Sequence, residues 1–524
     1  MFYIMKTKGL IAVTMLAALC GFGMAEAQVA IPKSERDDAQ KIMSHAYWAL
    51  WNNDEQKRID DDIARYRMAE AVIDDSALAK GTIVEVEQLS HDFFFGAHMF
   101  NFNQLGTPAR NRRYRELWGT LFNSATVPFY WKTFEMQPGR PRFREEYWDT
   151  EEYWNAQSDP KTQPHWRRPA PDALVDYCLG RGVRVHGHPL IWGNRKWHHP
   201  DWMEQEVLNA DERPAYDSLL VEEANLANYK DGDVYGEEYA QMSADELALR
   251  FPEMTRRMNA IFRSRIAQIA EYYGDKIASW DVVNESTPDY QRGAFSSVAP
   301  LVKSVYGIMP GDYVFAAFDE AARHLSRNVK LNINDYVTSK DYADWTSTLL
   351  SRGARIDVLG SQMHLFNPQQ CLDIADGKPL MTPSEVRATM ERLSVPGLPI
   401  HLSEITITSP GNDARGMMIQ AIIARNLYRL WFSTPSMEGI TWWNVVDDCG
   451  APGETSVSGL FTRDMQPKPS YYALRELIQN EWTTHLQVKV RRDGRLTFRG
   501  FKGSYRLRWC DANGNQHEVM YHLK

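Results

Sequence analysis

From residue 96 to about residue 478, short apolar runs alternate with longer amphipathic stretches, and this alternation constrains the fold more than any other feature. The runs include 183–185, 277–283, 329–333, 358–363, 400–405 and 440–446, and segments such as 253–273 and 414–431 carry apolar positions at helical spacing. Strand–helix alternation sustained in this way implies parallel strands, because each helix returns the chain to start the next strand on the same side. The expected class is therefore α/β. A single closed (β/α)8 TIM barrel with insertions, spanning 90–480, fits better than two separate domains.

Both ends add to this unit. Residues 34–73 read as helix, with Ser34 as its N-cap and Ala46, Leu50 and Trp51 among its spaced apolar positions. Residues 81–95 read as strand, so 28–89 form a helix-and-strand extension. Residues 483–524 alternate in β fashion with turns at Asp493-Gly494 and Asn513-Gly514, which predicts a small C-terminal β module over 481–524. The net charge of −9 argues against a nucleic-acid binder, which needs a basic face. That charge is local: 201–250 holds 14 Asp and Glu against 3 Lys and Arg, and reads as a solvated insertion between two strands.

Lys6 and Lys8, the apolar run 9–23 and Ala25-Glu26-Ala27 have the layout of an export leader, with cleavage expected after Ala27 and an extracellular or periplasmic product. No later run approaches the length of a membrane span. Cys178, Cys371, Cys449 and Cys510 lack C-x-x-C spacing, so no zinc site is expected; free thiols are favoured, and an exported chain could also pair them. His186, His188 and the pair His198-His199 lack helical ligand spacing. No metal, no other cofactor and a monomer are expected.

Barrel enzymes carry their functional groups at the C-terminal ends of the strands. Two apolar runs end there in a glutamate, Glu285 after Trp280-Asp281-Val282-Val283-Asn284 and Glu404 after Ile400-His401-Leu402-Ser403. A carboxylate closing an apolar strand is costly unless it is solvated, paired or working. Two of them supply the acid and nucleophile that glycosidic cleavage requires. The 17 tryptophans, eight of them between Trp118 and Trp202, suit a surface that stacks sugar rings.

At these residues the sequence resembles glycoside hydrolase family 10, the retaining β-1,4-xylanases. The likeness runs through most of 90–478 in ordered segments: Phe122-Asn123-Ser124 with Lys132; His186-Gly187-His188-Pro189-Leu190-Ile191-Trp192; Trp280 through Glu285; Asn334-Asp335-Tyr336; Gln362-Met363-His364; Ser403-Glu404; Thr441-Trp442-Trp443; and Gln466-Pro467-Lys468-Pro469-Ser470-Tyr471. The resemblance implies hydrolysis of a xylan-type polysaccharide or oligosaccharide. It implies Glu285 as acid/base and Glu404 as nucleophile, about 5–5.5 Å apart. It further implies Asn284 on the sugar 2-OH, His364 orienting Glu404, and Lys132, His188, Trp192, Asn334 and Gln362 binding substrate, with Trp443 as a stacking platform.

Departures fall mainly on recognition positions. Pro128-Phe129 replace the Glu-Asn pair that grips the distal glycone sugar, with Tyr130-Trp131 following, so polar contacts are expected to give way to aromatic surface. Gly193 and Arg195 replace His and Gln, Thr406 removes the acidic partner of His364, and Trp442 and Asn444 also differ. Two alternatives therefore stand beside a xylanase: a related β-glycosidase on another glycan or an aryl or terpenoid glycoside, and a carbohydrate-binding protein without catalysis.

Overall fold

Eight strands close into a parallel barrel in the computed structural model, which describes residues 29–74, 78–157, 159–221, 234–451 and 454–524. The leader read over 1–27 lies outside the described residues. The strands are β1 (Phe94–His98), β2 (Ser124–Pro128), β3 (Arg184–His188), β4 (Ser279–Asn284), β5 (Lys330–Asp335), β6 (Val358–Leu365), β7 (Ile400–Ile407) and β8 (Met437–Trp442). Each pairs in parallel with the next. Closure comes from β8, where Gly439 stands opposite Phe94 and Trp442 opposite Ala97. Every residue of β2, β4 and β7 is buried, because barrel filling covers one face and helices the other. That two-sided burial is why these segments read as unbroken apolar runs.

Helices Pro252–Tyr273 and Ala414–Ser433 lie where their periodicity predicts. The expected helix over 34–73 does not form as one unit. Ser44 and Asn52 each cap a separate helix, His45–Leu50 and Asn53–Tyr66, by accepting a first-turn amide. Ser34 caps neither and instead donates to Asp37. These helices cover Ala414–Ser433: Asn426 donates to the Tyr47 hydroxyl at 2.8 Å and Arg429 pairs with Asp60.

The two end additions share their sheets. Segment 81–95 breaks at Asp92-Phe93 into Ile83–His91 and β1. Ile83–His91 pairs with His485–Lys489 and Gly503–Cys510, and the latter with Gln516–Leu523. Met68–Asp74 pairs with Arg495–Phe501 as a second sheet. Val84, Val86, Leu496, Phe498, Tyr505, Leu507 and Trp509 form a core of their own. The turn at Asp493-Gly494, with Gly494 at φ +81°, therefore sends its flanking strands to different sheets.

The described parts of the acidic segment form short helices joined by turns, with a buried side of their own, and are not solvated throughout. Helices Met203–Val207, Arg213–Asp217, Glu237–Gln241 and Ala244–Arg250 bury Val207, Tyr216, Tyr239 and Leu247. Their acidic residues take the outer positions, which made the segment look wholly polar in sequence. Cys178, Cys371, Cys449 and Cys510 are free thiols, the first three buried. Among the described residues no helix is long and apolar enough to cross a membrane.

One glycine is dictated by packing. A Cβ at Gly187 would lie 2.2 Å from the ring of Trp280, which is fully buried between barrel and helices. Gly187→Ala is expected to destabilise the protein by about 1–3 kcal/mol or more through overpacking. Denaturant melts of the variant read this directly, and an unchanged midpoint would contradict it.

Candidate active site

The ends of β3 to β8 bring the predicted residues together around two carboxylates. Glu285 follows the last residue of β4 with φ +56°, a left-handed conformation that a glutamate adopts at a cost. Its amide donates to the Asn334 carbonyl at 2.8 Å, which fixes that turn to the end of β5. Glu404 lies within β7 and is 5% exposed, whereas Glu285 is partly exposed.

Amide side chains link the two. Asn334 Nδ2 donates to Glu404 Oε1 at 2.8 Å and to Asn284 Oδ1 at 2.8 Å. Gln362 Nε2 donates to Asn284 Oδ1 at 3.3 Å and to Glu285 Oε1 at 3.2 Å. Ser403 donates to Asn334 Oδ1, which sets the orientation of that amide. Glu285 Oε2 also accepts from Trp192 Nε1 at 2.9 Å and Tyr306 at 3.1 Å. Burial, then the charges of Glu404 and Asp335, push the Glu285 carboxyl up to about 7; the hydrogen bonds from Gln362 and Tyr306 act in the opposite direction. A partly accessible carboxyl that holds its proton near neutrality beside a second carboxylate suits proton donation.

Buried ionisable groups lie close to Glu404. Asp281 accepts from His186 at 2.9 Å and His188 Nδ1 at 2.8 Å. His188 Nε2 lies 3.8 Å from Glu404 Oε1. Burial opposes protonation of His188, but the Asp281 hydrogen bond and the Glu404 charge outweigh it and hold the pKa above the ordinary histidine value. His364 Nε2 lies 3.4 Å from Glu404 Oε2, and its Nδ1 meets the Thr406 hydroxyl at 2.9 Å, so a neutral hydroxyl takes the place of the missing acid. Trp443 meets His188 edge-on at 5.4 Å and is nearly buried. Lys132 is turned elsewhere: its ammonium pairs with Asp201 at 2.6 Å.

Two departures resolve differently from expectation. Phe129 and Trp131 are fully buried and add no aromatic surface to a cleft. Phe129 packs against Trp280 at 4.7 Å and Tyr273 at 5.4 Å, between barrel and helix, and Trp131 against Phe262 at 5.2 Å. Only Tyr130 of this stretch lies near the carboxylates, edge-on to His188 at 5.6 Å. Arg195 is not turned to substrate either. It pairs with Glu204 and donates to Tyr235 at 2.8 Å, tying the acidic insertion to the barrel.

Tyr306 was not visible from the sequence as a site residue. It sits in the hairpin formed by Leu301–Ser304 and Gly307–Pro310, in the long connection after β4. A Cβ on Gly193 would lie 3.3 Å from its ring, so the small residue at 193 leaves the room that Tyr306 occupies. Asp335, a second missed group, accepts the Thr287 amide at 2.8 Å, and burial pushes its carboxyl up to about 6.

A parallel (β/α)8 barrel whose C-terminal face holds two carboxylates in contrasting surroundings is the constitution of a glycoside hydrolase. The sequence profile of Glycosyl hydrolase family 10 matches residues 151–477. The chain belongs to that family. Exoglucanase XynX of Acetivibrio thermocellus is 25% identical over 315 residues, 58% of this chain and 24% of that protein. Endo-1,4-beta-xylanase A of Thermoanaerobacterium saccharolyticum is 24% identical over 313 residues, 58% of this chain and 22% of that protein. The chain thus spans about a quarter of the length of these relatives. Among solved structures, native xylanase 10B from Thermotoga maritima covers 74% of this chain and 96% of that one, with 19% identity and a TM-score of 0.48.

Proposed function

We propose that this protein is a retaining glycoside hydrolase that cleaves β-1,4-xylosidic bonds in xylan by double displacement. The observation that carries this reading is the Glu285 carboxyl, held protonated to about pH 7 beside Glu404 in one hydrogen-bonded network. Glu285 gives its proton to the glycosidic oxygen as that bond breaks, while a Glu404 oxygen attacks the anomeric carbon. Glu285, now ionised, takes a proton from water, which attacks the glycosyl-enzyme and releases Glu404. Asn284 Oδ1 accepts from two amides, so its Nδ2 is the group that offers a hydrogen bond to the sugar 2-OH. Asn334 holds one Glu404 oxygen by a hydrogen bond, His364 and His188 face the carboxylate at 3.4 and 3.8 Å, and Trp443 faces the sugar bound at the glycone side. The reading includes export, supported by the leader pattern over 1–27, and action as a monomer on a polysaccharide or oligosaccharide.

The test follows the anomeric configuration of the first product by NMR on a panel of xylans, glucans and aryl glycosides. Initial release of the β-anomer from xylan is expected. Release of the α-anomer first would exclude double displacement. Turnover of aryl glucosides with none of xylan would favour a related β-glycosidase, and binding of xylan without release would favour a carbohydrate-binding protein.

A further inference from the structure

Arg168 lies beside the site without a role in the chemistry above. Its guanidinium sits over the Phe100 ring, 4.8 Å from the centroid, and 5.1 Å from that of Trp166. Its Nη1 is buried and has no hydrogen-bond partner among the described residues, and the residue keeps partial exposure. Phe100 joins it to the site. That ring stacks on His98 at 4.2 Å and meets Trp443 and Tyr130 edge-on at 5.1 and 5.8 Å. Burial, then the Arg168 charge, push His98 down to about 3. Arg168 is therefore one aromatic layer from the platform at Trp443.

Lys161 supplies a second cation close enough to Arg168 for the Arg168 charge to depress its pKa, after burial. Its ammonium donates to the Asp448 carbonyl at 3.1 Å. The acid felt by both cations, Glu454, is tied by Asn444 Nδ2 at 2.9 Å and the Ala451 amide at 2.8 Å. These two cations share the single carboxylate of Glu454, and the buried Arg168 Nη1 is left unpaired, so a ligand that brings a second negative charge offsets the cost of keeping them together. Phe100 is fully buried behind the guanidinium, so the half-buried ring of Trp166 is the flat apolar face here, and it suits a pyranose ring better than a compact inorganic anion.

We infer that Arg168, assisted by Lys161, forms a subsite for the carboxylate of a uronic acid carried on the glycone side of the substrate. The planar guanidinium matches a carboxylate through two parallel N–H donors. The inference rests on the hydrolase reading only for the direction in which substrate lies. In its terms, loss of the Glu-Asn grip at 128–129 is accompanied by recognition of charge.

Calorimetric titration of the full chain carrying Glu285→Gln, with xylotetraose, xylotetraose bearing one glucuronosyl branch, and trigalacturonate, tests it. At least one acidic ligand should bind about 10- to 100-fold more tightly than xylotetraose, the span of a charge-assisted hydrogen-bond pair. Preference for the branched ligand would assign the carboxylate to a side group, and preference for trigalacturonate to the glycan backbone; either supports the subsite. Arg168→Gln should remove the advantage, Arg168→Lys should keep part of it, and added salt should narrow it. Equal binding of neutral and acidic ligands, or an advantage that survives Arg168→Gln, would overturn the subsite. So would a fall in melting temperature with Arg168→Gln, since that would mark the arginine as structural. Xylan hydrolysis with no Arg168-dependent preference leaves the proposed function standing and removes the subsite. An Arg168-dependent preference in a wild-type protein that hydrolyses nothing does the reverse.

Discussion

Glu404→Ala is expected to reduce hydrolysis of xylan to the background rate while leaving the fold in place. The proposed covalent route needs an oxygen nucleophile at that position, and no other side chain described around it offers a carboxylate to the same point. Enzymatic enhancements of at least ~10⁶-fold are then lost almost entirely. The variant also leaves one of the two Asn334 Nδ2 protons without its acceptor, which costs about 1–3 kcal/mol for a buried donor, and removes the charge that faces His188 and His364. That is smaller than the stability of an ordinary domain, so circular dichroism should show a folded protein. Azide supplied in solution can enter the space vacated by the carboxylate and attack in its place, restoring turnover as a glycosyl azide of inverted configuration. Retention of xylan hydrolysis by a folded Glu404→Ala protein would sink the assignment.

The barrel was legible because parallel strands covered on both faces must be apolar throughout, and the runs ending in Glu285 and Glu404 wrote that condition into the sequence. Asn284, Gln362 and Asn334 were legible as strand-end positions, and the structure brings them into one network with both carboxylates. What escaped had no local signature. Tyr306 reaches Glu285 from a hairpin 21 residues further on, and only the space over Gly193 accounts for it. The burial of Phe129 and Trp131 was missed because the alternation of a strand does not say which face looks into the cleft once a short helix follows it. The pairing of strands 68–74 and 83–91 with segments about 400 residues later is a tertiary event. Neither segment buries a face alone, so 68–73 read as the end of the helix begun at Ser34, and 83–91 as a strand of a separate extension.

Glu285→Gln should lower kcat on xylan by about 10²–10⁴-fold, the usual contribution of a positioned proton donor. Aryl xylobiosides with a highly acidic phenol should lose much less in the first step, because such a leaving group departs without protonation. In the wild type, burial and the charges of Glu404 and Asp335 raise the Glu285 pKa from 4.5 to about 7. Proton donation then fails as pH rises through that value, so kcat/KM on xylan should fall tenfold per pH unit above about 7. Tyr306→Phe removes a hydrogen bond that favours the ionised form and should move this limb to higher pH; Asp335→Asn removes a negative charge and should move it lower. Stability carries the same sign. The folded state binds the Glu285 proton more tightly than the unfolded chain, so this contribution is full below pH 4.5 and is lost as pH rises to about 7. Glutamine has no charge to bury, so Glu285→Gln should be more stable than wild type at pH 8, by up to about 3 kcal/mol, and no more stable at pH 4. A pH profile whose basic limb ignores Tyr306 and Asp335, or a Glu285→Gln protein with no gain in stability at pH 8, would show that the proton resides elsewhere.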